Sequence, residues 1–202
     1  MPSTPVRRHP VVLRILLAAA VAASAGCGDA FTLPPASLET AELTVTLYAL
    51  TGTPISTPSA YNLLTLAAVR TDRTSDLDFA FDIGPDSSFG AGTAGATVAV
   101  LLPRGAVGLS EDGGLQISSL PLDSIVLAPE RGYEERAGVV IDSGAVIIAA
   151  SRKQNCNFGF VRPRYAKLRV EALDLVQRSV TLRLVVNPNC GYRGLGPGVP
   201  QQ

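Results

Sequence analysis

Asp76-Leu77-Asp78-Phe79-Ala80-Phe81-Asp82-Ile83 alternates almost without error, and this stretch decides the fold. Leu77, Phe79, Phe81 and Ile83 take one side of an extended chain, and Asp76, Asp78 and Asp82 the other. That period of two is the signature of a half-buried antiparallel strand. The three aspartates are therefore expected on its outer, wet face.

The same pattern recurs outward from this point. Leu43, Val45 and Leu47 alternate with Thr44, Thr46 and Tyr48 between Ala41 and Leu50, and a second apolar run from Tyr61 to Val69 is short enough for a strand. Thr97 to Leu102 is β-branched, short and stopped by Pro103. Further short strands are expected at Leu115 to Ile117, Ser124 to Leu127, Gly138 to Ile141 and Ala145 to Ala150, between clusters of Gly, Pro, Asp and Ser. Ala166 to Leu173 and Val180 to Val186 read as a hairpin turning near Gln177-Arg178, with its Arg and Lys side chains on the wet face. Strands at this spacing, with no long helical period after residue 40, predict an all-β fold. The expectation is an antiparallel β-sandwich of about eight strands, immunoglobulin-like or related, with a partly closed β-barrel as the alternative.

The first 26 residues stand apart from this pattern. Arg7, Arg8 and Arg14 precede or enter a nearly continuous apolar run from Val11 to Ala25, and Ser24-Ala25-Gly26-Cys27 closes it with small residues. Charged, apolar and small segments in that order read as a secretory signal peptide. The run is about 15 residues, short of the roughly 20 that span a bilayer as a helix. Small residues followed at once by cysteine resemble the bacterial lipobox, although Ser24 stands where leucine is most common. The resemblance implies that Cys27 receives a diacylglycerol and begins the mature chain. It also implies the outer membrane, on its periplasmic face, over the inner one, since Gly28 precedes Asp29 after the cysteine. Cleavage after Ala23-Ser24-Ala25, releasing a soluble protein, is the competing reading. The chain thus divides into a signal peptide (1–26), a lipid anchor and flexible tether (27–39), a single β domain (40–190) and a disordered tail (191–202).

Once the signal is removed, 14 basic residues (17 less Arg7, Arg8 and Arg14) face 17 acidic ones. A balance so close to neutral argues against bulk nucleic-acid binding. The distribution is uneven: 5 basic against 15 acidic residues from Gly28 to Ala150, and 9 against 2 from Ser151 onward. Either the basic C-terminal part packs beside acidic strands and the two cancel, or it offers a cationic face to an anionic lipid or polymer. Cys156 and Cys190 remain as an even pair in an exported chain, where a disulfide persists. Both sit beside turn residues, and a break at Arg162-Pro163-Arg164 lets the longer arm adjust so that they meet.

Composition removes much catalytic chemistry. The sole histidine, His9, lies in the signal, so no Ser-His-Asp or Cys-His mechanism and no histidine-ligated metal is available to the mature chain. Gly90-Ala91-Gly92-Thr93-Ala94-Gly95 has the spacing of a dinucleotide fingerprint, but a strand follows it where a helix is required. No cofactor is expected. Glu134-Glu135 reads as a solvated turn beside Arg131 and Arg136. Asp72, Asp76, Asp78, Asp82 and Asp86 do not fit a calcium loop. Two functions remain open: a non-catalytic envelope module, anchored through its lipid and binding a protein or polymer, and a histidine-free hydrolase of an envelope polymer that works through carboxylates.

Overall fold

The hairpin read from the last third of the sequence forms the spine of the first of two antiparallel sheets. The protein is described by a computed structural model covering residues 35–90, 95–156 and 159–200. The signal segment, Cys27, most of the tether, residues 91–94 of the glycine-rich loop, Asn157, Phe158 and the last two residues lie outside the described residues. Among the described residues the strands run β1 (Ala41–Tyr48), β2 (Ala60–Asn62), β3 (Ala67–Val69), β4 (Phe79–Pro85), β5 (Thr97–Pro103) and β6 (Gly114–Ser118). They continue with β7 (Val139–Ile141), β8 (Val146–Ala150), β9 (Gln154–Cys156), β10 (Phe160–Arg162), β11 (Tyr165–Asp174) and β12 (Ser179–Val186).

One sheet has the order β1-β12-β11-β8-β6 and the other β3-β2-β4-β5-β7, with β9 and β10 as a separate pair. The two sheets are not closed into a barrel, so the molecule is an antiparallel β-sandwich. Among the described residues ten strands build it rather than about eight. The run from Tyr61 to Val69 is not one strand. It turns at residues 63–66, with Leu66 at φ 56°, to pair β2 with β3. The β11–β12 hairpin turns where the sequence placed it, with Arg178 at φ 51°. Leu168 faces Leu184 and Val170 faces Leu182, and β1 adds Leu43 opposite Leu184 on the other side of β12.

Alternation sorts most side chains by face, and over most of β4, β5 and β8 both faces are buried. Between the sheets lie Leu47, Leu63, Phe79, Phe81, Leu101, Ile147, Leu168, Leu182 and Leu184. Ala80, Val100 and Leu102, one residue out of phase with Phe79, Phe81 and Leu101, form a second cluster on the outer side of their sheet. A 3-10 turn, Arg104–Val107, supplies part of its cover through Ala106 and Val107. Leu77 belongs to this outer cluster, not to the inner core with Phe79. Val146, Ile148 and Ala150 likewise turn outward under Leu122, Ile125, Ala128 and Leu195.

This covering overturns several expectations. Asp78 and Asp82 are not on a wet face; both are buried. Lys167 is buried too, its Nζ donating to the Ile125 carbonyl at 2.8 Å, because the segment around Ile125 lies over that face of β11. Ser124 to Leu127 is no strand: a 3-10 turn at Leu122–Ser124 leads into chain held by an isolated bridge from Leu127 to Gly194. The expected disordered tail is ordered through its described part. Leu195 is fully buried, and Asn187 Nδ2 donates to the Tyr192 and Gly194 carbonyls. The end of the tether is also held, since the Ser37 and Leu38 N–H groups both donate to Asn189 Oδ1 at 3.1 Å.

The turn after β5 is tightly fitted. A Cβ on Gly105 would lie 2.2 Å from the Glu135 carbonyl oxygen. Gly105→Ala is therefore expected to cost about 1 to 3 kcal/mol through forced backbone displacement, read as a lower urea midpoint; an unchanged midpoint contradicts the packing.

Candidate functional site

Strand β6 is the outer strand of its sheet, and an edge strand presents unpaired main-chain groups. Leu115 exchanges both of its outward hydrogen bonds with Glu134, N to O at 3.0 Å and 2.7 Å. Because outward and inward pairs alternate along an antiparallel strand, Ile117 directs its N–H and C=O to the same open side. Among the described residues, no strand pairs with β6 on that side.

Apolar side chains gather beside this edge. Ile117 is 58% exposed and Val126 62%, with Leu120 and Leu127 also exposed. They border a groove of about 370 Å³ floored by Ile148 and rimmed by the uncharged Gln116, Ser118, Ser119 and Ser124. A single exposed aliphatic residue is ordinary, but four around one groove mark an interaction surface. The chain reaches this arrangement because Ser124 to Leu127 crosses the outer face of β8 and β6 instead of joining the sheet. A second cleft, about 280 Å³, lies between Gly132-Tyr133 and Ser151, with Tyr133 and Tyr165 packed at 6.3 Å between ring centres. The Tyr133 hydroxyl donates to the Pro129 carbonyl, which ties that ring into the structure.

The acidic residues singled out in the sequence are dispersed. Asp72 pairs with Arg70 at 2.6 Å and Asp76 with Arg152 at 3.7 Å. Asp82 accepts from the Thr51 N–H and hydroxyl and from the Ile83 N–H. Asp78 accepts from Leu63 N–H at 2.6 Å and Arg152 N–H at 2.8 Å, with the Arg152 guanidinium 3.3 Å away. Burial pushes the Asp78 carboxyl above its ordinary pKa, outweighing the lowering effect of Arg152. Glu134 shifts down, because the Arg136 and Ala137 N–H groups donate to it. Asp86 is buried at the start of the turn after β4. Among the described residues, no group of three or more His, Cys, Asp or Glu is placed to hold a metal ion. The glycine-rich loop leads into β5, a strand, as its sequence context required.

Pairing offsets part of the charge asymmetry along the chain. Arg152, Arg178, Arg183 and Arg193 reach back to Asp76 and Asp78, Asp82, Glu42 and Glu130 respectively. Four basic residues of the last quarter thus pair with acidic ones earlier in the chain. Cys156 and Cys190 are joined by a disulfide with Cα atoms 5.7 Å apart.

The groove was not legible beforehand. Ile117, Val126 and Leu127 each sat in a segment expected to be a strand, and a period of two does not say which strand ends at an edge. No family model matches the chain, and no curated protein matches it.

Proposed function

We propose that the protein is an exported, lipid-anchored component of the bacterial cell envelope and acts as a non-catalytic binding module. The partner, a protein or envelope polymer, docks along β6. The anchor is the thiol of Cys27, and the favoured place is the periplasmic face of the outer membrane. The observation that carries the binding role is the apolar groove beside an open strand edge, since both main-chain groups and side-chain pockets are offered to an extended partner. Asp78 and Asp82 lend nothing to a carboxylate hydrolase, because main-chain N–H groups and, at Asp82 Oδ2, the Thr51 hydroxyl already occupy their oxygens.

A photoreactive amino acid at Ile117, with one at the exposed Thr65 as control, tests the reading in intact cells. The Ile117 probe is expected to give a discrete adduct in the membrane fraction, reduced by Val126→Lys, while Cys27→Ala moves the protein to the soluble fraction. An adduct pattern identical at Ile117 and Thr65 refutes the groove. A Cys27→Ala protein that stays membrane-bound refutes the anchor.

A further inference from the structure

Three consecutive residues, Asn189, Cys190 and Gly191, join two features of one end of the sandwich. Asn189 Oδ1 accepts from Ser37 and Leu38, where the tether enters. Cys190 is bonded to Cys156 of the β9–β10 pair, and the Gly191 N–H donates to Pro163 just after β10. The entry of the chain and this small hairpin are therefore held side by side.

The surface they share is basic and partly apolar. Lys153 and Arg162 are exposed together at the open end of the hairpin, where Arg162 pairs with Gln154, and among the described residues neither enters an ion pair. Most carboxylates at this end are matched: Asp76 and Asp78 by Arg152, and Asp112 by Arg104. Glu39 remains as an exposed acid, and so does Glu135, which lines the cleft that Lys153 borders. Val161 is 51% exposed and Leu38 54%. The opposite end is set by the β11–β12 turn, where Val176 is 88% exposed. The length of β12 separates the ends by about 25 Å at roughly 3.3 Å per residue.

From these positions we infer that the Lys153, Val161, Arg162 and Leu38 surface rests on an anionic phospholipid bilayer. The inference rests on the reading of Cys27 as the lipid-bearing residue. Pro35 follows Cys27 by eight positions, so even a fully extended tether keeps it within about 28 Å of the anchor. A tether this short gives the surface an effective lipid concentration in the millimolar range, at which two cations and two half-exposed aliphatic side chains suffice to orient the domain. The disulfide then has a role besides stability, because it fixes the basic hairpin beside the tether.

The chain contains no tryptophan, so Val161→Trp and Val176→Trp each introduce a unique fluorophore. The lipidated protein is reconstituted into vesicles containing brominated phosphatidylglycerol, after intact mass has established the lipid on Cys27. Quenching is expected in the Val161→Trp protein and not in the Val176→Trp protein. Adding Lys153→Gln with Arg162→Gln should lower the docked-to-free ratio about 25-fold, at roughly fivefold per cation. Quenching that is absent with Val161→Trp, equal at the two sites, or unchanged by the glutamine pair overturns the inference. If the mass shows no lipid, the anchor reading fails by itself. The unlipidated chain is then mixed with the same vesicles at high lipid, where the same pattern keeps the surface assignment and its absence removes it.

Discussion

Asp78→Ala is expected to lower the folding free energy by about 3 to 5 kcal/mol, the usual cost of removing one partner from a buried charge pair. Asp78 is only 2% exposed, just before β4, and its two oxygens accept from Leu63 N–H, Arg152 N–H and the Arg152 guanidinium. Alanine leaves two main-chain donors and a guanidinium without their acceptor. Against a typical stability of about 5 to 15 kcal/mol, such a loss brings the chain near the edge of folding. Asp76, 3.7 Å from Arg152, still balances part of the charge, which places the result toward the lower end of the range. Asp78→Asn is expected to cost less, about 1 to 3 kcal/mol, because one oxygen still serves one of the donors. Urea titration of both variants measures the difference, and a loss below about 1 kcal/mol for alanine would show that the network contributes little.

The pH dependence of the asparagine variant carries a definite sign. Burial raises the folded-state pKa of Asp78, so between its unfolded and folded values the native state binds a proton that the unfolded chain does not. Stability from this group therefore grows as pH falls from neutral through the raised pKa. The wild type should gain on Asp78→Asn over that window, because the remaining carboxylates titrate alike in both. A difference between the two that is constant with pH would contradict the shift.

Replacing Cys156 and Cys190 together by alanine is expected to cost about 3 to 4 kcal/mol, from the chain-entropy value for a loop of this size. The separation along the sequence is 34 residues. For a chain of this length that corresponds to a fall of roughly 7 to 14 °C in the thermal midpoint. Because β9 and β10 pair only with each other among the described residues, the loss should be felt first there. Amide exchange of Asn155 and Val161 is expected to accelerate before that of Leu168 or Leu182, which lie in the inner core. A midpoint shifted by less than about 2 °C, equivalent to under 1 kcal/mol, would assign the bridge no structural weight.

Several features follow from residue order by itself. Strict alternation in Phe79-Ala80-Phe81 and in Val180 to Val186 specifies extended chain, because only a period of two brings those apolar side chains to one face. The turn at Gln177-Arg178 is bracketed by two such runs, so its position follows as well. The pairing of Cys156 with Cys190 was available by count once Cys27 was set aside. Tertiary structure alone decided what lies over each face. Alternation assigns Asp78, Asp82 and Lys167 to the side away from the inner core, but it carries no information on whether a distant segment will cover that side. Arg152 reaches Asp78 across 74 positions and Ile125 reaches Lys167 across 42, contacts that exist only after the sheets have formed. The groove at Ile117 has the same origin: whether a strand is central or an edge depends on which other strand finds it, and long-range pairing, not local pattern, left β6 with one side open.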